Sequence, residues 1–180
     1  LLLSTSLFAQ DSIRKFWVGI NLGSQMTNLK FTSSGGDNAD YNSELNFTNG
    51  LGFAYLNKGL MLELNIDYYK VSASLADENF YSAVNLSYFQ PSLNVGYVFS
   101  FGNFPIHPKV GLGAGYALLL DGTQNIDGQF YNLKESEALT NGDVGLNLNI
   151  GVMMFSKGNI AMSLLYNYRM GMSNIENASN

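Results

Sequence analysis

Few residues in this chain of 180 could carry acid–base or nucleophilic chemistry. His107 is the only histidine, so a serine–histidine–acid site would have to use it. Ser100 and Ser163 are the candidate nucleophiles, but neither lies in a nucleophile-elbow sequence. We therefore predict that the chain is not an enzyme and has no catalytic residues.

Four charged residues stand within otherwise apolar segments: Glu63, Asp67, Lys109 and Arg169. An isolated buried ion is very costly, so opposite charges that are enclosed together must pair. We hypothesise that Glu63 and Asp67 pair with Lys109 and Arg169. Other polar residues expected in the same enclosed cluster are His107, Asn147 and Asn167.

No metal or cofactor is expected. The chain has no cysteine, which excludes disulfides and thiolate metal sites. The glycines at 111, 113 and 115 lack the third spacing of a dinucleotide-binding loop. Two acidic pairs lack the calcium-loop spacing with its distal glutamate: Asp37 with Asp40, and Asp121 with Asp127.

The charged residues lie on segments in which apolar and polar side chains alternate. Leu62 and Leu64 share one face with Tyr68, whereas Glu63 and Asp67 share the other. A period of two predicts strands. A strand that crosses a bilayer needs about 9 to 11 residues, more than the usual five or six. The alternation places long strands at 16–27, 44–56, 60–72, 84–101, 106–120, 141–155 and 160–172.

The connections between these strands are alternately short and long. Short turns fall at 57–59, 102–105 and 156–159, and longer polar loops separate the other strands. Because lipid cannot satisfy a free backbone amide, such strands can cross a membrane only as a closed barrel. We predict an all-β, antiparallel up-and-down transmembrane β-barrel with its apolar face outward. Bacterial barrels have even strand numbers, so we expect eight strands, with seven visible in this fragment.

The fourth predicted strand breaks the pattern. Leu86 and Tyr88 have the opposite parity to Leu93 and Val95, and Pro91 lies between them. Two explanations remain open. A bulge at Pro91 would restore the register, since proline is confined to edges and bulges. Alternatively, the strand beyond Pro91 projects out of the bilayer, where either parity is allowed.

The first nine residues differ from the rest of the chain. They form an apolar run ending in Ala9, typical of the end of a secretory signal peptide. The alternative is a buried first strand. We therefore expect a signal remnant at 1–9 and a barrel domain at 10–180 that lacks its C-terminal strand. The N-terminus and the short turns are predicted to be periplasmic, in the outer membrane of a Gram-negative cell.

Composition narrows the possible partners. Charged residues make up 13% of the chain and hydrophobic residues 46%, without a run of about 18 apolar residues. The net charge of -5 and the lack of a basic cluster argue against nucleic acid. The expected partners are outer-membrane lipid and other envelope proteins. Two interfacial aromatic girdles are predicted from Phe16, Tyr55, Phe99 and Phe101 at the periplasmic rim and Tyr68, Phe89, Tyr116 and Tyr168 at the outer rim.

The stretch from Tyr88 to Leu120 contains Y-F-Q-P-S-L-N-V-G-Y, a G-N turn and H-P-K-V-G-L-G-A-G-Y-A-L-L-L. It resembles the PorT-like outer-membrane beta-barrel domain common in Bacteroidota. The resemblance implies an eight-stranded barrel and supplies no catalytic residues. The expected function is a small membrane scaffold or interaction protein with a lumen filled by polar side chains. A narrow channel and a soluble lipocalin-like barrel remain the alternatives.

Overall fold

The computed structural model describes residues 4–8, 16–26, 30–32, 38–40, 42–77, 80–99, 105–136, 139, 141–155 and 161–172. Within these residues, no helix is long and apolar enough to cross a membrane. The regular elements are strands β1 (Ser4–Phe8), β2 (Phe16–Gln25), β3 (Lys30–Thr32), β4 (Asn38–Asp40), β5 (Asn42–Ser43), β6 (Asn46–Asn57), β7 (Leu60–Asp77), β8 (Phe80–Val98), β9 (Ile106–Ile126), β10 (Gln129–Asn132), β11 (Gly142–Phe155) and β12 (Ala161–Gly171).

Eight of these strands form a closed antiparallel ring. β2 pairs with β6, β6 with β7, β7 with β8, β8 with β9, β9 with β11 and β11 with β12. β1 pairs with both β12 and β2 and completes the circle. The predicted all-β fold of eight antiparallel strands is therefore confirmed.

The source of the eighth strand differs from the expectation. Residues 1–9 were interpreted as a signal remnant, with the eighth strand missing from this fragment, yet Ser4–Phe8 forms a strand between β2 and β12. Without it, those two strands would each leave an edge of unpaired backbone groups. Its pairing with β2 is short, covering Thr5 and Ser6 only. Cleavage after Ala9 stays an untested prediction, and it would remove β1 and leave β2 and β12 without this partner.

Three strands are longer than predicted, all at the end away from the short turns. β7 continues to Asp77, β8 begins at Phe80 and β9 continues to Ile126. The added residues are mainly serine, asparagine and other small or polar types, which the sequence pattern assigned to loops. β10 then returns along β9 through a tight turn at Asp127 and Gly128, both of which have positive φ. Such turns match the natural twist of paired strands.

The predicted bulge at Pro91 is wrong. β8 keeps one parity along its length, with Val84, Leu86 and Gln90 all buried, and Pro91 stays in register with Ile66 of β7. The bulge instead lies on β9 opposite Ser87 and Tyr88, where the register with β8 shifts by one residue. Near Pro91 the inward face of β8 changes from polar residues, such as Ser92 and Asn94, to apolar residues, such as Leu86 and Val84. This change agrees with the alternative in which the strand projects out of the bilayer.

The apolar side chains of the ring face outward. Leu62 is 45% exposed and Leu64 is 44% exposed, whereas Glu63 between them is 6% exposed. A soluble lipocalin-like barrel requires the reverse, with leucine inside and glutamate outside. That alternative is therefore wrong. An outward apolar belt around a closed ring is what a hydrocarbon environment requires.

This polarity predicts how the outer face of β9 responds to charge. Leu112 is exposed in the middle of the apolar belt, so Leu112→Arg should destabilise the barrel by about 2 to 4 kcal/mol. Thr123→Arg, on the same strand beyond the belt, should have little effect. Reversible denaturant unfolding in lipid vesicles measures both variants. Equal losses for the two would contradict an outward face that meets lipid.

Candidate functional site: the closed lumen and the projecting sheet

A buried ion pair lies in the lumen, one inward position from Met61 and three from Tyr69 along β7. Lys109 Nζ donates to Glu63 Oε1 at 2.6 Å, and the two side chains are 1% and 8% exposed. β7 and β9 position them, because Glu63 points inward between the exposed Leu62 and Leu64, and Lys109 points inward between the exposed Pro108 and Val110. The predicted pairing of Glu63 with Lys109 is thus present. Asn149 Nδ2 donates to Asn94 Oδ1 at 3.2 Å within the same polar layer.

The second predicted pair is wrong. Arg169 does not pair with Asp67 but with Asp143, whose Oδ2 lies 3.2 Å from Arg169 Nη2. Arg169 Nη1 also donates to the Tyr69 hydroxyl and to Gln90 Oε1. Asp67 instead accepts a hydrogen bond from Asn21 Nδ2 at 3.2 Å.

A glycine explains this choice of partner. A Cβ atom at Gly145 would collide with Arg169 Nε, so the arginine can lie across this position toward Asp143 only because no side chain is present. Sequence reasoning missed Asp143 because it lies at the end of a predicted strand. The remaining polar residues predicted for the lumen are also inward: His107 is buried, and Asn147 and Asn167 are half-buried.

A cluster of buried apolar side chains, which we call the floor, lies at the short-turn end of the lumen. Met61 and Met153 are fully buried there, beside Trp17 at 2% exposure. Most of the contributing residues come from strand ends next to the short turns, and Trp17, which pairs with Ala54, lies at the same end of β2. The floor comprises Trp17, Ala54, Met61, Val98 and Met153, with Leu56 packed against it.

A larger cluster of buried apolar side chains, which we call the roof, lies at the opposite end of the lumen. The rings of Tyr69 and Tyr88 are stacked, with centroids 5.3 Å apart. Leu133 and Leu139, from the segment between β10 and β11, are buried in the same cluster. The roof comprises Tyr69, Val71, Ala73, Val84, Leu86, Tyr88, Ala117, Leu119, Leu133 and Leu139.

Backbone hydrogen bonds fix the turn that carries Leu133. Its amide donates to the carbonyl of Gly122 at 2.8 Å. Asn132 Oδ1 accepts from the amides of Lys134 and Glu135, each at 3.1 Å. Leu133 and Leu139, two leucines in an otherwise polar loop, were the only sequence signal for this part of the roof. A search for strand periodicity does not detect such isolated residues.

The strands around the roof continue as a projecting sheet, formed by the ends of β7, β8 and β9 together with β10. On its outer side β7 changes from Leu64, Ile66 and Tyr68 to Lys70, Ser72 and Ser74. On its inner side the change is the reverse, from Glu63 and Asp67 to the apolar roof. The sheet therefore has the polarity of a water-soluble structure, while the barrel below it has the polarity of a membrane protein.

The sequence matches the family described as the outer membrane protein beta-barrel domain over residues 1–180. The chain belongs to this family. No curated protein matches it. Membership places this outer membrane protein beta-barrel domain in the outer membrane, and the family is in general non-enzymatic.

The predicted girdle residues of this outer-membrane domain lie on the outer face where their side chains are described. Phe16 is among the most exposed, and its ring contacts Tyr55 with centroids 4.9 Å apart. Phe101 lies outside the described residues. The two girdles stay a prediction, although the exposed aromatic side chains agree with them: Phe16, Tyr68, Phe89, Phe99, Tyr116 and Tyr168.

The described part of the outer-membrane domain contains no group of three or more histidine or acidic residues that could hold a metal ion. Two of its inward carboxylates, Glu63 and Asp143, pair with bases, and a third, Asp67, accepts a hydrogen bond from Asn21. Carboxylates that are already paired with Lys109 and Arg169 give the lumen structural polar packing.

The Glu63–Lys109 pair gives a prediction about stability. Lys109→Met should cost about 3 to 5 kcal/mol, because it leaves the Glu63 carboxylate buried without its partner. The double variant Glu63→Leu with Lys109→Met should regain most of that loss. Lys70→Met, which removes an exposed lysine, is the matched control. Denaturant unfolding measures all three, and a Lys109→Met loss no larger than that of Lys70→Met would mean that the lumen is hydrated.

Proposed function

We propose that this outer-membrane barrel is a nonconducting scaffold that holds its projecting sheet outside the membrane for contact with other envelope components. The observation that carries the proposal is the exchange of polarity between the two faces at the level of Tyr68 and Tyr88. Inside, the exchange provides the roof that caps the lumen. Outside, it provides a polar sheet on a rigid support, and exposed segments on rigid scaffolds commonly carry binding.

Occlusion of the lumen supports the nonconducting part of the proposal. An ion entering from either end meets an apolar cluster first, the floor or the roof, before it reaches the paired charges between them. An eight-stranded barrel is just wide enough for side chains to fill. We also propose that the barrel has no catalytic role, since the described lumen carboxylates are held by ion pairs with Lys109 and Arg169 or by a hydrogen bond from Asn21.

The orientation that we propose places the short turns in the periplasm and the projecting sheet outside the cell. This agrees with the bacterial pattern of short periplasmic turns and longer outer loops. The closer affiliation with PorT-like proteins of Bacteroidota rests on the stretch from Tyr88 to Leu120 and is part of the proposal. Export by a signal peptide cleaved after Ala9 is not part of it, because that cleavage would remove β1, which closes the ring.

Planar-bilayer recording tests the closure of the lumen. The wild-type barrel should give no steady conductance. The double variant Met61→Ala with Met153→Ala should also stay silent, because the roof remains after the floor is thinned. A stable, wide conductance from the wild-type monomer would contradict the proposal and favour the narrow-channel alternative.

Single-cysteine labelling tests the orientation, since the native chain has no cysteine. Gln129→Cys on the projecting sheet should react with a membrane-impermeant maleimide in intact cells. Lys58→Cys in a short turn should react only after the outer membrane is permeabilised. A photoactivatable cross-linker attached at position 129 should then capture envelope proteins in those cells. The reverse labelling pattern, or no captured envelope protein, would overturn the contact role.

A further inference from the structure

Strand β10 presents a free edge of the projecting sheet. It is the last strand in the order of its sheet and pairs only with β9 among the described residues. All four of its residues are exposed. Its sequence, Gln-Phe-Tyr-Asn, contains neither the lysine nor the proline that commonly protects an edge strand from pairing.

The backbone groups on this edge can be assigned from the register. The Leu133 amide bonds to the Gly122 carbonyl, and pairing alternates along an antiparallel ladder. Tyr131 opposite Gln124 is therefore a hydrogen-bonded pair, and Phe130 opposite Asn125 is not. It follows that the N–H and C=O of Phe130 point away from β9, toward the open side of the strand.

The side chain of Phe130 adds an apolar contact at the same point. It is 78% exposed, the largest value among the exposed hydrophobic residues. Phe130 lies beside Asn125, five residues beyond Leu120 at the end of the apolar belt. At about 3.3 Å per residue and a tilt of about 40°, this is about 12 Å above the belt. The headgroup layer is only about 5 to 8 Å thick on each side, so the ring is not a lipid contact.

The negative charge near β10 favours a cationic partner. The outer segments 28–44, 70–87 and 121–140 contain nine acidic and three basic residues. Asp121, Asp127 and Glu135 are exposed near β10. Lys134, the basic residue of this region, directs its Nζ to the carbonyl of Leu120 at 2.9 Å. A negative surface attracts a cationic partner and repels a second copy of the same edge.

We infer that β10 is a docking edge for a cationic, extended segment of a partner protein, which adds to the sheet as a further strand. The partner's backbone bonds to the free N–H and C=O of Phe130. The aliphatic stems of its lysine or arginine side chains pack on the Phe130 ring, and their charged ends face the surrounding carboxylates. The inference rests on the proposed function, because it names the chemistry of the contact made by the projecting sheet.

The test uses the intact barrel in nanodiscs of zwitterionic lipid and three labelled ten-residue peptides. One alternates threonine with lysine, one threonine with glutamate and one proline with lysine. The threonine–lysine peptide should bind, and moderate salt should weaken its binding. The proline–lysine peptide has the same charge but lacks half of the backbone donors, so its binding should be about tenfold weaker. The glutamate peptide should not bind detectably.

Variants at the edge separate strand addition from simple charge attraction. Phe130→Pro removes the outward N–H and leaves the bonds to β9, so binding should weaken about tenfold. Phe130→Ala should weaken it about fivefold through lost packing. Tyr81→Ala removes another exposed aromatic side chain of the projecting sheet and should leave binding unchanged. Amide hydrogen exchange should slow at Phe130 when the lysine peptide binds, but not at Tyr131, which already donates to β9.

The results of these experiments can contradict the docking edge without contradicting the proposed function. If the lysine peptide binds but Phe130→Pro and the Phe130 amide are unaffected, the acidic segments bind it without strand addition. The docking edge is then wrong, while contact by the projecting sheet stands. If no peptide binds, or if the barrel dimerises through β10, the inference is also wrong. The labelling and conductance experiments then decide the proposed function separately.

Discussion

The structure depends on one constraint: backbone amides and carbonyls that face hydrocarbon must find partners within the protein. A single open sheet would leave two edges of unpaired groups in the membrane, and only closure removes both. This explains why β1 is held in the ring although it contributes only five residues and a short pairing with β2. Once the ring is closed, its outer face must be apolar. All side chains of the opposite parity are then enclosed together.

That enclosure decides how the interior is filled. Charged side chains forced inward by strand parity need polar partners. Glu63 pairs with Lys109 and Arg169 with Asp143, while Asp67 accepts a hydrogen bond from Asn21. Pairing is useful only where water is excluded, since exposed ion pairs contribute little. In the proposed nonconducting barrel, the floor and the roof would exclude water from the two ends. The apolar clusters would then strengthen the ion pairs that lie between them.

Features that follow from the alternation of side chains along a strand could be predicted from the sequence. The opposition of Glu63 to Leu62 and Leu64 gave the strands, the outward face and one of the two ion pairs. The sequence alone did not predict features that depend on a neighbouring strand far away in the chain or on the space left by a glycine. Arg169 reaches Asp143 because Gly145 leaves room, and no spacing rule contains that information. Ser4–Phe8 was read by its composition as a signal segment, whereas its pairing depends on strands more than 150 residues away on one side.

The same limit applies beyond the membrane belt. The sequence showed that apolar and polar residues alternate around Leu86 and Tyr88. Whether the apolar residues point into or out of the barrel depends on where the bilayer ends along the strand. Because β7, β8 and β9 pass without a break from one solvent to another, the exchange of polarity fixes the height of the barrel. Sliding it inward would bury Lys70 and Ser72 in lipid, and sliding it outward would expose Leu64 and Ile66 to water. The projecting sheet is therefore held at a set distance from the membrane by the same strands that anchor it, and its free edge is presented where only a partner outside the bilayer can reach it.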